Sequence, residues 1–181
     1  HTGIDERDYW YSAKAISQGL DYIHLNHRTI RWSVILPVAA VQALCGVHPN
    51  VYYVLPFINA LLQTSLLYLL GKRLFSRKVA VLAVFFLIFF PYQIKAASQI
   101  RPEIFTTTYL LALMWCISEF SQALTTKKQL HYLLYASACM YIAYHAKITN
   151  LFLMPGFLAV ILWYSHKRSQ SSIKNMAVFA L

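Results

Sequence analysis

Asp5 and Glu6 stand side by side near the start of a chain that has only six acidic residues among 181. Four of the six (Asp5, Glu6, Asp8 and Asp21) fall in this opening stretch. A carboxylate partly withdrawn from water beside a bilayer has its pKa raised toward the range useful for a general base. The same Asp5 also sits where it could cap the helix that follows. Arg101-Pro102-Glu103 closes one apolar block and opens the next. Pro102 suits the first turn of a helix and Glu103 suits its positive end. A guanidinium at such a boundary can also grip a phosphate. Lys147 lies between two apolar blocks, where a lysine either snorkels to the interface or binds an anion. His145, two positions earlier, fits a satisfied interfacial histidine. His24, His27, Arg28 and Arg31 form a basic patch that attracts anionic headgroups or contacts a phosphorylated substrate. Arg7 and Tyr9, beside the acid pair, complete the set of candidate substrate-binding residues with His27 and Arg28. No metal-ligand cluster is spaced along the chain, though Asp5, Glu6 and Glu103 could share a divalent ion if they converge.

These residues must be positioned by membrane helices. Hydrophobic residues make up 59% of the chain and charged residues 12%, against about 45–50% and about 25% in soluble domains. Five nearly uncharged blocks follow one another: Val51–Leu70, Val79–Ile94, Ile104–Phe120, Leu130–Ala146 and Ile148–Tyr164. A helix crossing the hydrocarbon core needs roughly 20 such residues, so an all-α, multi-pass bundle of about five spans is expected. Residues 1–50 then form an external loop with surface helices, and residues 51–181 form the transmembrane region. The chain opens at His1 and closes inside the apolar stretch Met176–Leu181. A fragment truncated at both ends, with a missing span before His1 and a partial one at the end, is therefore expected.

The net charge of +10 does not imply nucleic acid, because the basic residues cluster in short gaps between apolar blocks, as the positive-inside rule requires. Lys72, Arg73, Arg77 and Lys78 fill one gap, Lys127 and Lys128 another, and Lys167, Arg168 and Lys174 a third. With five alternating spans these gaps share the cytoplasmic side, and Arg101, Glu103 and Lys147 face outward. Asp5–Gly19 reads as a surface helix, with Tyr9, Ala13, Ile16 and Leu20 at helical spacing. Trp32–Gly46 is short and holds Pro37, so it reads as interfacial or re-entrant rather than spanning. On that reading Asp5 and Glu6 join the outward face. Cys45, Cys116 and Cys139 lie in apolar segments and read as small buried hydrophobes.

An outward face with two carboxylate sites and two cationic sites suits a sugar phosphate carried on a membrane lipid. Cations hold the phosphate leaving group and a carboxylate deprotonates the incoming hydroxyl. The same charges lining a substrate path would suit a transporter or a flippase for lipid-linked precursors. Such a protein would place ionisable residues near the bilayer midplane, in matched halves.

Asp5-Glu6 with Tyr9 resembles the acidic opening of the first external loop of GT-C glycosyltransferases. The likeness is to the protein O-mannosyltransferase and aminoarabinose-transferase type, and especially to the bacterial RgtA/B/C/D-like domain. The stretch VLPFINALLQTSLLYLLGKRLFSRKVAVLAVFFLIFFPYQIKAASQIRPE, ending at Glu103, resembles that family's span, cytoplasmic turn, next span and terminal Arg-Pro-Asp. AYHAKITNLFLMP, around Lys147, resembles its Leu-Thr-Lys segment. Glu103 stands where the family usually has Asp, and His145-Ala146 stands for Leu-Thr. The resemblance implies an inverting enzyme that moves a sugar from a polyprenyl- or dolichyl-phosphate carrier to a glycan, lipid or protein acceptor. It implies a site on the periplasmic or lumenal side, and for the bacterial members a place in the inner membrane. By the same resemblance Asp5 is the catalytic base, Glu6 its neighbour, Glu103 the second acidic site, and Arg101 and Lys147 the ligands of the donor phosphate.

Overall fold

A computed structural model describes residues 4–20 and 30–167, excluding the side chains of Ile4, Asp5 and Lys167. Every regular element among the described residues is helical. The chain divides into two compact units, His1–Thr108 with His145–Lys147, and Tyr109–Tyr144 with Ile148–Leu181.

In the first unit, α1 (Ile4–Ser17) packs against α2 (Trp32–Cys45). Tyr9 and Ala13 of α1, one turn apart, are fully buried, as are Val34 and Ile35 of α2. The Tyr9 hydroxyl accepts a hydrogen bond from Arg31 Nη1, and the Arg31 guanidinium lies 5.8 Å from the Tyr9 ring centre. Gln42 of α2 donates to the Trp10 carbonyl at 3.2 Å. Leu20, placed at helical spacing with Tyr9, Ala13 and Ile16, falls outside the helix and is 58% exposed. The helix stops three residues short of it, and Gly19 takes a positive φ of 64°. The Leu20 and Gly19 amides bond back to Ala15 and Ile16, the paired closure for which a left-handed glycine is suited. Asp5 falls inside the first turn of α1, which begins at Ile4 rather than at a cap on Asp5.

The 14-residue α2 is about 21 Å long at 1.5 Å per residue, short of a bilayer core. Pro37 lies within it, and it ends at Gly46 with φ 80°. Cys45, expected to be buried, is exposed at its end, while Cys116 and Cys139 are half-buried and all three are free.

A 3₁₀ turn, Pro49–Tyr53, runs directly into α3 (Val54–Leu74). Their union, Pro49–Leu74, is one of three helices among the described residues long and apolar enough to cross a membrane; the others are Pro102–Gln122 and Ile148–His166. The basic Lys72 and Arg73 occupy the last turn of α3, where the helix dipole favours cations. Ser76 then caps α4 (Arg77–Phe89) through the Val79 amide at 3.3 Å. Gly71 permits the close approach of α3 and α4, since a Cβ there would lie 2.9 Å from the Ala80 Cα. The apolar block Val79–Ile94 is not one helix. Phe90 is extended, as a residue before proline prefers, and Pro91 opens the short α5 (Pro91–Ala96). A buried polar cluster ties these elements together. Gln63 of α3 donates to the Ile104 carbonyl at 2.6 Å and to the Thr108 hydroxyl at 3.2 Å, and accepts from Gln93 at 2.7 Å.

Two long helices, α6 (Pro102–Gln122) and α7 (Thr126–Ala146), run through the second unit. A second 3₁₀ turn, Ile148–Leu153, leads there into α8 (Met154–Lys167). Leu113, Ile117 and Phe120 of α6, Leu133, Ala136 and Met140 of α7, and Ile161 of α8 make its core. The Asn150 side chain donates to the Ala143 carbonyl at 2.6 Å and joins the turn to α7. Although α7 has the length of a span, its first turns carry Lys127, Lys128 and His131, and it is not among the helices both long and apolar enough to cross. The terminal stretch Met176–Leu181 lies outside the described residues, as do Arg168 and Lys174.

Candidate functional site

Glu6 is one residue into α1 from Asp5, and α1 is pinned to the rest of its unit through that side chain. Glu6 is 2% exposed. An ionised carboxylate so withdrawn from water needs partners on both oxygens, and it has them. Oε1 accepts from Arg101 Nε at 3.1 Å, across 95 residues of sequence. Oε2 accepts from the Tyr52 hydroxyl at 2.9 Å, and that hydroxyl in turn accepts from the Ile100 amide at 3.3 Å. Partial burial alone would disfavour the charged form of Arg101. The hydrogen bond and charge of Glu6, with help from Tyr92, overcome this and hold Arg101 above the ordinary arginine value.

The second pair lies at the start of α6. Pro102 opens the helix, Glu103 stands in its first turn, and Lys147 Nζ donates to Glu103 Oε1 at 3.2 Å. Lys147 follows α7 immediately and precedes the second 3₁₀ turn, so the break between two helices delivers it to Glu103. The pairs differ in their access to solvent. The Arg101 and Glu6 side chains are 33% and 3% exposed, those of Lys147 and Glu103 39% and 41%. Arg101, Lys147 and Glu103 are therefore reachable by a ligand, whereas Glu6 is enclosed.

Of the residues singled out from sequence, Glu6, Arg101, Glu103 and Lys147 thus occur in two ion pairs of one unit, each between residues distant in sequence. Tyr9 is buried with its hydroxyl on Arg31, and Arg7 is exposed on α1. The Asp5 side chain, His27 and Arg28 lie outside the described residues. Among the described residues no three His, Cys, Asp or Glu side chains gather as a metal site would require.

Sequence reasoning missed Tyr52 and Gln63. Tyrosines are abundant in this chain, 13 in all, and one at the edge of an apolar block reads as part of an interface belt. Gln63 carries a signal that could have been used, a full amide in the middle of a span, where an unpaired polar group is costly. Gln99, just before Arg101, keeps its side-chain oxygen buried with no hydrogen-bond partner among the described residues.

Chemically, the arrangement offers two cations, each already balanced by a carboxylate and each partly open, beside a helix whose first turn carries Asp5. An anion could bind the exposed side of either cation while its carboxylate partner stays in place, so that the enclosed Glu6 keeps its counter-charge. No curated protein and no solved structure matches the chain. A family model, dolichyl-phosphate-mannose-protein mannosyltransferase, matches residues 33–181, a range that includes Arg101, Glu103 and Lys147 and leaves Asp5, Glu6 and Tyr9 before its start. The chain belongs to that glycosyltransferase family.

Proposed function

We propose that this chain is the membrane-embedded catalytic part of an inverting glycosyltransferase. Its donor is a sugar on a polyprenyl or dolichyl phosphate, and its acceptor is a hydroxyl presented on the periplasmic or lumenal side. The observation that carries the reading is the pairing of Arg101 with Glu6 and of Lys147 with Glu103. Residues distant in sequence meet at helix ends, where a lipid headgroup would lie.

In the reaction, the acceptor oxygen attacks the anomeric carbon from the face opposite the phosphate. The bond between that carbon and the phosphate oxygen breaks, its electron pair leaves with the lipid phosphate, and Asp5 takes the hydroxyl proton. The phosphate changes from a monoanionic diester to a monoester carrying about −1.5 to −2. Arg101 and Lys147 therefore stabilise the transition state more than the bound donor, which is the condition for raising kcat. Glu6 and Glu103 hold the two cations in place before the donor arrives.

The five apolar blocks then alternate across the membrane. Residues 1–50 and the segments around Arg101 and Lys147 lie on the outer side, and the basic turn at Lys72–Lys78 lies in the cytoplasm. The bacterial inner membrane is the setting this reading favours. The test is Asp5→Asn. It keeps size and polarity, leaves insertion intact and lowers transfer by about 10²–10⁴-fold, the range of a lost general base. Turnover equal to wild type removes Asp5 from the mechanism.

A further inference from the structure

Tyr52 joins three parts of the first unit through one hydroxyl. It donates to Glu6 Oε2 at 2.9 Å and accepts from the Ile100 amide at 3.3 Å. Glu6 Oε1 takes the Arg101 Nε proton at 3.1 Å. A single phenol thus restrains Arg101 from two directions, its backbone through the preceding amide and its guanidinium through Glu6. The ring cannot easily swing away. Tyr52 is 9% exposed, and its centroid lies 5.5 Å from that of Trp10 and 5.2 Å from that of Tyr53. Trp10 sits four residues after Glu6, on the same helix, so α1 holds both the ring and the hydroxyl.

We infer that Tyr52 is a positioning residue for the Arg101 guanidinium, fixing it for the phosphate of the lipid-linked donor. The inference rests on the reading of Arg101 as a donor-phosphate ligand. An arginine carries five N–H donors in a rigid fork. With Nε committed to Glu6, the Nη groups keep a fixed direction for a phosphate's oxygens. A tyrosine needed only to fill space would not require a hydroxyl bonded on both sides. A phenylalanine would fill the same space and leave the Ile100 amide and one Glu6 oxygen without this partner.

The experiment compares wild type, Tyr52→Phe, Arg101→Lys and the double variant, purified in lipid nanodiscs. It measures binding of sugar-free undecaprenyl phosphate, with thermal unfolding recorded for each protein. Tyr52→Phe is expected to weaken binding about tenfold, the equivalent of one ordinary hydrogen bond. In the Arg101→Lys background the same change should have less than about a threefold effect, because coupled residues are not additive. Should Tyr52→Phe fail to fold, Glu6→Gln breaks the next link and must show the same loss and the same non-additivity. A lower unfolding temperature with unchanged affinity, or two losses that simply multiply, overturns the role of Tyr52. If wild type binds the lipid phosphate no better than Arg101→Lys, the reading of Arg101 fails first and the role of Tyr52 falls with it.

Discussion

The two ion pairs make opposite demands on the fold, and substitution should separate them. Glu6 is enclosed and serves both Arg101 and Tyr52. Glu6→Ala strands two polar groups and should cost about 2–3 kcal/mol, below the 3–5 of a fully buried pair because Arg101 is partly exposed. Lys147 and Glu103 are each about two-fifths exposed. Lys147→Ala should therefore change stability by less than about 1 kcal/mol while transfer falls. Denaturation in detergent alongside an activity assay checks both, and a severe folding defect in Lys147→Ala would contradict the division. Arg101, Glu103 and Lys147 were legible in the sequence because a charge at the edge of an apolar block is costly and so conspicuous. Tyr52 was not. Its partners lie 46 and 48 residues away, and nothing in its local sequence separates it from an interfacial tyrosine.

The helices were legible where an apolar run and a continuous backbone coincide, as in Pro49–Leu74 and Pro102–Gln122. They were misread where a proline divides a run that stays apolar. Val79–Ile94 reads as one span, yet the chain turns at Phe90 and restarts at Pro91. At 13 residues, α4 is about 20 Å long, so any crossing by this block relies on α5 or on a thinned bilayer. The meeting of α3 and α4 invites a direct test. Gly71→Ala puts a methyl 2.9 Å from the Ala80 Cα and should destabilise by about 1–3 kcal/mol, as overpacked helix contacts do. Ala80→Gly should not rescue it, because the nearest obstacle is backbone. Rescue to wild-type stability would make the Ala80 methyl the obstacle instead, and an unchanged stability in Gly71→Ala itself would mean that the two helices do not meet at this point.

Across the whole molecule, sidedness is the property that unites or scatters the candidate residues. It was read from charge asymmetry and from the shortness of Trp32–Gly46, and the 14-residue α2 fits that reading by length. Single cysteines at positions 5, 75 and 101, in a background without the native three, should label with an impermeant thiol reagent at 5 and 101 but not at 75. Labelling of 5 together with 75 would put α2 across the bilayer and divide the proposed site. Pairing within the site has one further effect. Since Arg101 and Lys147 each carry their own carboxylate, the two pairs project little electric field beyond a few ångströms. A donor headgroup is then captured at contact, by the N–H groups each cation still presents beside its carboxylate, rather than by long-range attraction. Ionic strength should accordingly govern how the protein meets anionic lipid in bulk far more than how it chooses its donor.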